Sequence, residues 1–259
     1  MEQVQADPRL LRLLKARPEL LRVSGNNDLR ELEQILDALE GGGQLPGDIG
    51  KLTKAARAEL ARLACAVVML EAPNGSTATG FFVAPNLVMT NRHVLLDRYR
   101  AAAFRARLDY DRSDSPVVRC RLAPERFFKA NADLDYAIVA VECPPARAFV
   151  SLAAAGKLRK GDSVLIVQYP NGGPRKVGID DNEIRRVDER HVYYLTDTTE
   201  GSSGSPVFDR AMRIVALHHT GGVPQMSQYG VEYVENIGVR IDLVASLVLD
   251  EVLAFGGGG

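Results

Sequence analysis

From Ala66 to Ile241 the chain is a succession of short apolar, β-branched segments with few helical runs between them. They are AVVML (66–70), GFFVA (80–84), LVMT (87–90), YAIVAV (136–141), SVLIVQY (163–169), HVYYL (191–195), PVF (206–208), RIVALHH (213–219) and IGVRI (237–241). Gly, Pro, Asn and Asp punctuate them, which is the signature of strands joined by turns. Many short strands without helical crossovers predict antiparallel sandwiches or barrels and exclude a parallel sheet of βαβ units.

The flanks read differently. Leu10, Leu11, Leu13, Leu14, Leu20 and Leu21 recur at helical spacing, and Pro18 is placed to open a second helix. Asn27 or Asp28 is positioned to cap a helix whose stripe is Leu29, Leu32, Ile35, Leu36 and Leu39. Gly41 to Gly47 break it, and a third amphipathic run extends from about Leu52 to Leu63. Short helices draw their stability from packing, so these faces need a partner: one another, the next domain or another protein. The expected organisation is a helical segment over 1–61, a β domain over 62–255 and a flexible tail over 256–259. A closing helix is expected from about Asp242 to Phe255, with Leu243, Leu247, Val248 and Leu253 turned inward.

Bulk properties narrow the function classes. A net charge of -1 offers no clustered basic surface for nucleic acid or an anionic membrane. No apolar run approaches the roughly 18 residues needed to span a bilayer. Charged residues interrupt the first 23 positions, so they do not read as a signal peptide. Cys65, Cys120 and Cys143 have spacings that suggest neither a metal site nor a disulfide framework, and they read as small unpaired residues in a reducing compartment. The expected location is therefore cytoplasmic, with no cofactor and no metal.

Three patterns carry chemistry, in the order His, Asp, Ser. Leu87-Val88-Met89-Thr90-Asn91-Arg92-His93 follows Gly80-Phe81-Phe82-Val83; next comes Asp133-Leu134-Asp135-Tyr136-Ala137-Ile138-Val139; last is Gly201-Ser202-Ser203-Gly204-Ser205-Pro206-Val207. Each alone has a plain alternative. Three other histidines exist (His191, His218, His219), Asp133 competes with Asp135, and a Gly/Ser stretch is commonly just a loop. Only Asp135 stands immediately before a strand.

On these motifs the chain resembles the trypsin/chymotrypsin family of serine peptidases over roughly residues 62–250, with most likeness to bacterial disulfide-free members. The resemblance implies a mainly β fold of two antiparallel six-stranded barrels, here with a short N-terminal helical segment and a C-terminal helix. It implies His93, Asp135 and Ser203 as a catalytic triad, with Ser203 at the third position of Gly-x-Ser-Gly. The backbone N–H groups of Gly201 and Ser203 would then form the oxyanion hole, with Gly201 and Gly204 supplying backbone angles that a β-carbon resists. The family's primary pocket maps onto Asp197, Thr198 and His218. Thr198 and His218 match the carboxylate-binding positions of glutamyl endopeptidases, whereas Asp197 lies near the place where trypsin carries an acid that selects Lys or Arg. His218 and His219 have the plainer alternative of hydrogen bonding within their strand.

The resemblance also implies that the chain does not use the trypsin route of activation, because Ser202 stands where that route needs an Asp. The expected activity is peptide-bond hydrolysis in a protein or peptide substrate. The active-site loop is expected to be organised either intrinsically or by a protein partner acting through residues 1–61, in a bacterial signalling or defence system. The competing expectation is a catalytically silent protease-fold scaffold, against which the intact trio counts.

Overall fold

The computed structural model describes residues 52–143, 148–154, 158–179, 182–195, 198, 200–227 and 230–256; the side chains of Lys54 and residues 222–234 are not described. The predicted helices upstream of Leu52, Asp197 and the last three tail residues lie outside these bounds.

The first described element is α1 (Lys54–Ala64). Thr53 starts it by accepting the Ala56 N–H on Oγ1 at 3.1 Å, and Leu52, Leu60, Leu63 and Ala64 are buried in the main core. Seven strands follow: β1 (Val67–Glu71), β2 (Thr77–Ala84), β3 (Leu87–Asn91), β4 (Arg105–Leu108), β5 (Val118–Leu122), β6 (Phe128–Asn131) and β7 (Tyr136–Glu142). Two short helices, α2 (Arg92–Leu95) and α3 (Arg98–Ala103), lie between β3 and β4. The sheet order is β3-β2-β1-β4-β5-β7-β6, and β3 also pairs with β7. That pairing closes six strands into an antiparallel barrel, with β6 appended.

The second half holds β8 (Val164–Gln168), β9 (Lys176–Gly178), β10 (Ile184–Val187), β11 (His191–Tyr194), β12 (Pro206–Asp209), β13 (Ile214–Ser227) and β14 (Gly230–Arg240), then α4 (Ile241–Gly256). Their order is β10-β11-β14-β13-β12-β8-β9. The expected second six-stranded barrel is thus a seven-stranded half-barrel. The end strand β9 has only three residues, too few to complete a ladder, and the curl back to β8 is made by a single bridge between Ser163 and Glu183. Strand β8 is buried on both faces. Val164 and Ile166 enter the half-barrel core, while Leu165 and Val167 join the main core with the first barrel and α4.

Two expectations are corrected. In α4 the buried residues are Ile241, Val244, Ala245, Val248 and Val252, and Leu247 and Leu253 are 49% and 61% exposed. The helical period set by Ile241 and Val244 puts those two leucines on the outer face. Cys120 and Cys143 form a disulfide with Cα atoms 5.4 Å apart. Strand β5 pairs with β7 as Arg121↔Glu142 and Leu122↔Val141, so continuing the register sets Cys120 opposite Cys143. The two strands are not consecutive, which is why spacing alone was silent, and the cysteines no longer argue for a reducing compartment.

One buried charge ties the halves together. Arg175 is fully buried; its guanidinium pairs with Asp111 and donates to the carbonyls of Ala64 (2.5 Å) and Val67 (3.1 Å). The Tyr169 hydroxyl also donates to Val67 O at 3.3 Å. Removing the carboxylate would strand the guanidinium in the interior. Asp111→Ala is therefore expected to cost about 3–5 kcal/mol of stability, read as a lowered urea midpoint.

Candidate functional site

The closing pair of the first barrel brings two of the predicted residues together. Strands β3 and β7 pair with Asn91 opposite Tyr136, so His93, just past β3, meets Asp135, just before β7. His93 Nδ1 lies 2.6 Å from Asp135 Oδ2, and the His93 backbone N–H donates to Asp135 Oδ1 at 2.9 Å. Asp135 sits at φ +41°, a left-handed conformation unusual for a non-glycine residue. Its carbonyl holds that backbone by accepting from Arg92 N (3.0 Å) and Asn91 Nδ2 (3.1 Å). Asp133 lies exposed in the turn before it.

Ser203 stands on the loop before β12, and Thr79 of the first barrel anchors that loop. Thr79 donates its backbone N–H to Ser203 O (2.9 Å) and its hydroxyl to Gly201 O (2.8 Å), and accepts from Tyr169 N (3.1 Å). The expected glycine conformations are present: Gly201 has φ +91° and Gly204 φ +86°. A β-carbon at Gly204 would sit 2.1 Å from Thr79 O, and one at Gly201 would sit 2.6 Å from Tyr169 O. The Glu200 carbonyl accepts from Asn171 N at 2.6 Å. Because the two ends of a trans peptide point in opposite directions, this bond turns the Gly201 N–H away from Asn171.

Ser203 Oγ donates to the backbone carbonyl of His219 at 3.3 Å and makes no hydrogen bond to His93 among the described contacts. His219, read from sequence only as a strand residue, reaches the centre of the site: its Nδ1 lies 2.7 Å from Asp135 Oδ2. Nothing in the sequence pattern distinguished it from His218, since neighbouring strand residues face opposite ways and the pattern does not say which faces the site. Burial opposes ionisation of Asp135, but the hydrogen bonds from His219 and His93 outweigh it and hold the carboxyl far below the usual range.

Of the pocket residues, Thr198 and His218 are described. The Thr198 hydroxyl bonds Asn236 Oδ1, and both oxygens lie where a side chain at residue 221 would be, so only glycine fits there. His218 is buried with Nδ1 2.7 Å from Tyr194 Oη. Burial first, then the nearby His219 and His93, push His218 down to about 3, so the ring is neutral at ordinary pH. Burial pushes the Tyr194 phenol up, so it keeps its proton. That hydroxyl has no other partner among the described residues, so it donates to Nδ1 and leaves the His218 proton on Nε2.

On the other side of His93 and Ser203, with no lining from β13, opens a cavity of about 560 Å³. Val94, Leu96, Tyr99, Ala103, Phe104 and Ala78 give it a mostly apolar wall, and Arg100 and Glu200 also line it. Sequence analysis missed this cavity because most of its wall comes from residues after His93, through α3, that carry no motif. Among the described residues no helix is long and apolar enough to cross a membrane.

This barrel and half-barrel, with a histidine, an aspartate and a serine loop at their junction, have the design of a serine peptidase. A family model for the trypsin-like peptidase domain matches residues 78–217, and the chain belongs to that family. Among curated proteins, an uncharacterized protein y4fB of Sinorhizobium fredii is 30% identical over 199 residues, 67% of this chain and 30% of that protein. Secreted RxLR effector protein 73 of Plasmopara viticola is 34% identical over 109 residues, 37% of this chain and 26% of that protein. The chain thus spans less than a third of either relative. Among solved structures, Deg5 is similar at a TM-score of 0.56 and 17% identity, covering 73% of this chain and 90% of that one. A Glu endopeptidase in complex with MPD reaches 0.54 at 18% identity, covering 74% and 91%. These two likenesses carry the fold alone.

Proposed function

We propose that the chain is a serine endopeptidase with Ser203 as nucleophile, His93 as general base and acid, and Asp135 as the group that orients His93. The observation that carries this reading is the His93–Asp135 pair standing beside a serine loop whose glycines hold an oxyanion turn. Rotation about the Ser203 Cα–Cβ bond takes its hydroxyl from His219 O toward His93; in apo serine hydrolases this bond commonly closes only with substrate. The Ser203 oxygen then attacks the scissile carbonyl carbon while its proton passes to His93 Nε2. The oxyanion is received by the N–H groups of Gly201 and Ser203. Collapse breaks the C–N bond, and His93 returns the proton to the leaving amine. Water repeats the sequence on the acyl-enzyme and frees the acid.

Two surfaces support a specificity. On the acyl side, His218 with its proton on Nε2 is a donor suited to a carboxylate, which favours an acidic residue before the cleaved bond, while the Thr198 hydroxyl is held by Asn236. On the leaving side, the apolar cavity against His93 favours a bulky apolar residue after it. A mixed peptide-library digest reads both sides at once, alongside fluorophosphonate labelling of the full chain. Labelling, with cuts after Glu or Asp and Leu or Phe following enriched at least about tenfold over Gly, is the expected result. Cuts after Lys or Arg would overturn the acidic assignment. No labelling of folded protein would overturn the peptidase reading in favour of a silent scaffold.

We further propose that a protein partner gates the site through the N-terminal segment in a bacterial setting, a reading supported by the packing behind the serine loop. Arg175 and Tyr169 hold the carbonyls at the end of α1 and start of β1, and residues 169–171 abut Glu200 and Gly201. A force on α1 therefore has a short packed path to the oxyanion turn. Removing residues 1–51, which spares the core helix α1, is expected to change the labelling rate at least about threefold without changing the thermal midpoint. An unchanged rate, with and without a cell extract from the source, would count against gating.

A further inference from the structure

His93 Nδ1 and His219 Nδ1 approach the same oxygen, Asp135 Oδ2, at 2.6 and 2.7 Å. An ionised carboxylate oxygen only accepts, so both nitrogens carry hydrogen and both tautomers are fixed. The two rings stand edge to face, with centroids 5.5 Å apart. Asp135 Oδ1 takes the His93 backbone N–H, so the carboxylate accepts from one short helix and one strand. The backbone carbonyl of His219 also accepts the Ser203 hydroxyl. One residue thus touches the acid through its ring and the nucleophile through its backbone.

We propose that His219 is a positioning residue of this site, sharing Asp135 with His93 so that the two rings compete for one carboxylate oxygen. The role in catalysis rests on the reading of His93 as general base; the coupling between the rings does not. A donor on Oδ2 withdraws charge from the carboxylate that stabilises the His93 imidazolium, which favours neutral His93. A proton gained by His219 on Nε2 acts in the same direction, because a second cation beside the same carboxylate opposes charging of His93. Other charged or titratable groups near the trio are His218, which burial keeps neutral, Arg100 and Glu200, which line the cavity beside His93, and Asp133 in the preceding turn. Each stays in place when His219 is changed.

The test compares wild type, His219→Ala and His219→Asn in the full chain. It reads the pH profile of kcat/KM and the NMR titration of the His93 ring, which needs no turnover. In His219→Ala the His93 midpoint and the acid limb are expected to move to higher pH by about half to one unit, a three- to tenfold change in proton affinity. With kcat lowered about tenfold and KM within about twofold, the loss would lie in the chemical step. His219→Asn keeps an N–H donor within reach of Oδ2 and is expected to restore most of the wild-type midpoint. A folded Ala variant with an unchanged or lowered His93 midpoint overturns the proposal. If the Ala variant fails to fold, His219→Gln is read against His219→Asn on the same midpoint, and equality of both with His219→Leu overturns it as well. A wild type without turnover but with the expected NMR shift would sink the peptidase reading and leave the coupling standing.

Discussion

Ser203→Ala is expected to lower peptide-bond hydrolysis by about 10⁶ in kcat while leaving the fold intact. The size follows from the proposed division of labour. Without the hydroxyl there is no acyl-enzyme, and His93 and Asp135 have nothing to act upon. What survives is stabilisation by the oxyanion turn and substrate binding, which alone sustain a residual rate. The fold survives because the Ser203 hydroxyl makes one long bond, 3.3 Å to His219 O, whereas the backbone of the loop is held independently by Thr79. Unchanged circular dichroism and thermal midpoint, with lost fluorophosphonate labelling, are the outcomes to measure. Cleavage persisting within tenfold of wild type would place the nucleophile elsewhere.

Asp135→Asn is expected to cost about 10⁴ in kcat and, unlike the serine change, to alter stability. An amide offers one acceptor oxygen and one NH₂ donor, but the site presents three N–H groups to this side chain, from the His93 backbone, His93 Nδ1 and His219 Nδ1. With its NH₂ in the Oδ1 place the amide confronts the His93 backbone N–H; with its NH₂ in the Oδ2 place it confronts both imidazole N–H groups, which must then change tautomer or swing away. A swung His93 is no longer a base for Ser203. The pH dependence of stability has a definite sign. The folded carboxyl is held below its unfolded value near 4, so its contribution is complete above that value and is lost as pH falls below it. The Asn variant lacks this term. Its unfolding free energy, measured by urea titration between pH 3 and 7, should fall less steeply at the acid end than that of wild type. Parallel curves would refute the assignment of Asp135 as the buried ionised partner.

Strands with β-branched or apolar sequences were legible in advance, as were the places of His93, Asp135 and Ser203 at their ends. The unread strands share a reason. Strands β4 and β5, RARL and VRCRL, alternate arginine with small or apolar residues, and their charges are satisfied only by partners distant in sequence, such as Glu71 with Arg119 and Glu142 with Arg121. Strand β9 is three residues of no marked preference, held by its register with β8. The Cys120–Cys143 bridge depends on a pairing between non-consecutive strands, and the orientation of α4 on a few positions of helical phase. In the site, the residues that sequence singled out are those whose chemistry requires a local motif. His219 and the wall from Val94 to Phe104 matter through where the barrel places them, and no local pattern records that.

Thr79 gives the joint between the two halves a meaning for how such a molecule would fail. A single residue of the first barrel fastens the second half, its backbone N–H holding the Ser203 carbonyl and its hydroxyl the Gly201 carbonyl and the Tyr169 amide. Separating the halves by even one hydrogen-bond length unfastens the turn proposed to receive the oxyanion, while both sheets keep their own ladders. Activity in this architecture is accordingly a gauge of docking: loss of cleavage would be the earliest sign of damage, arriving before any strand has melted.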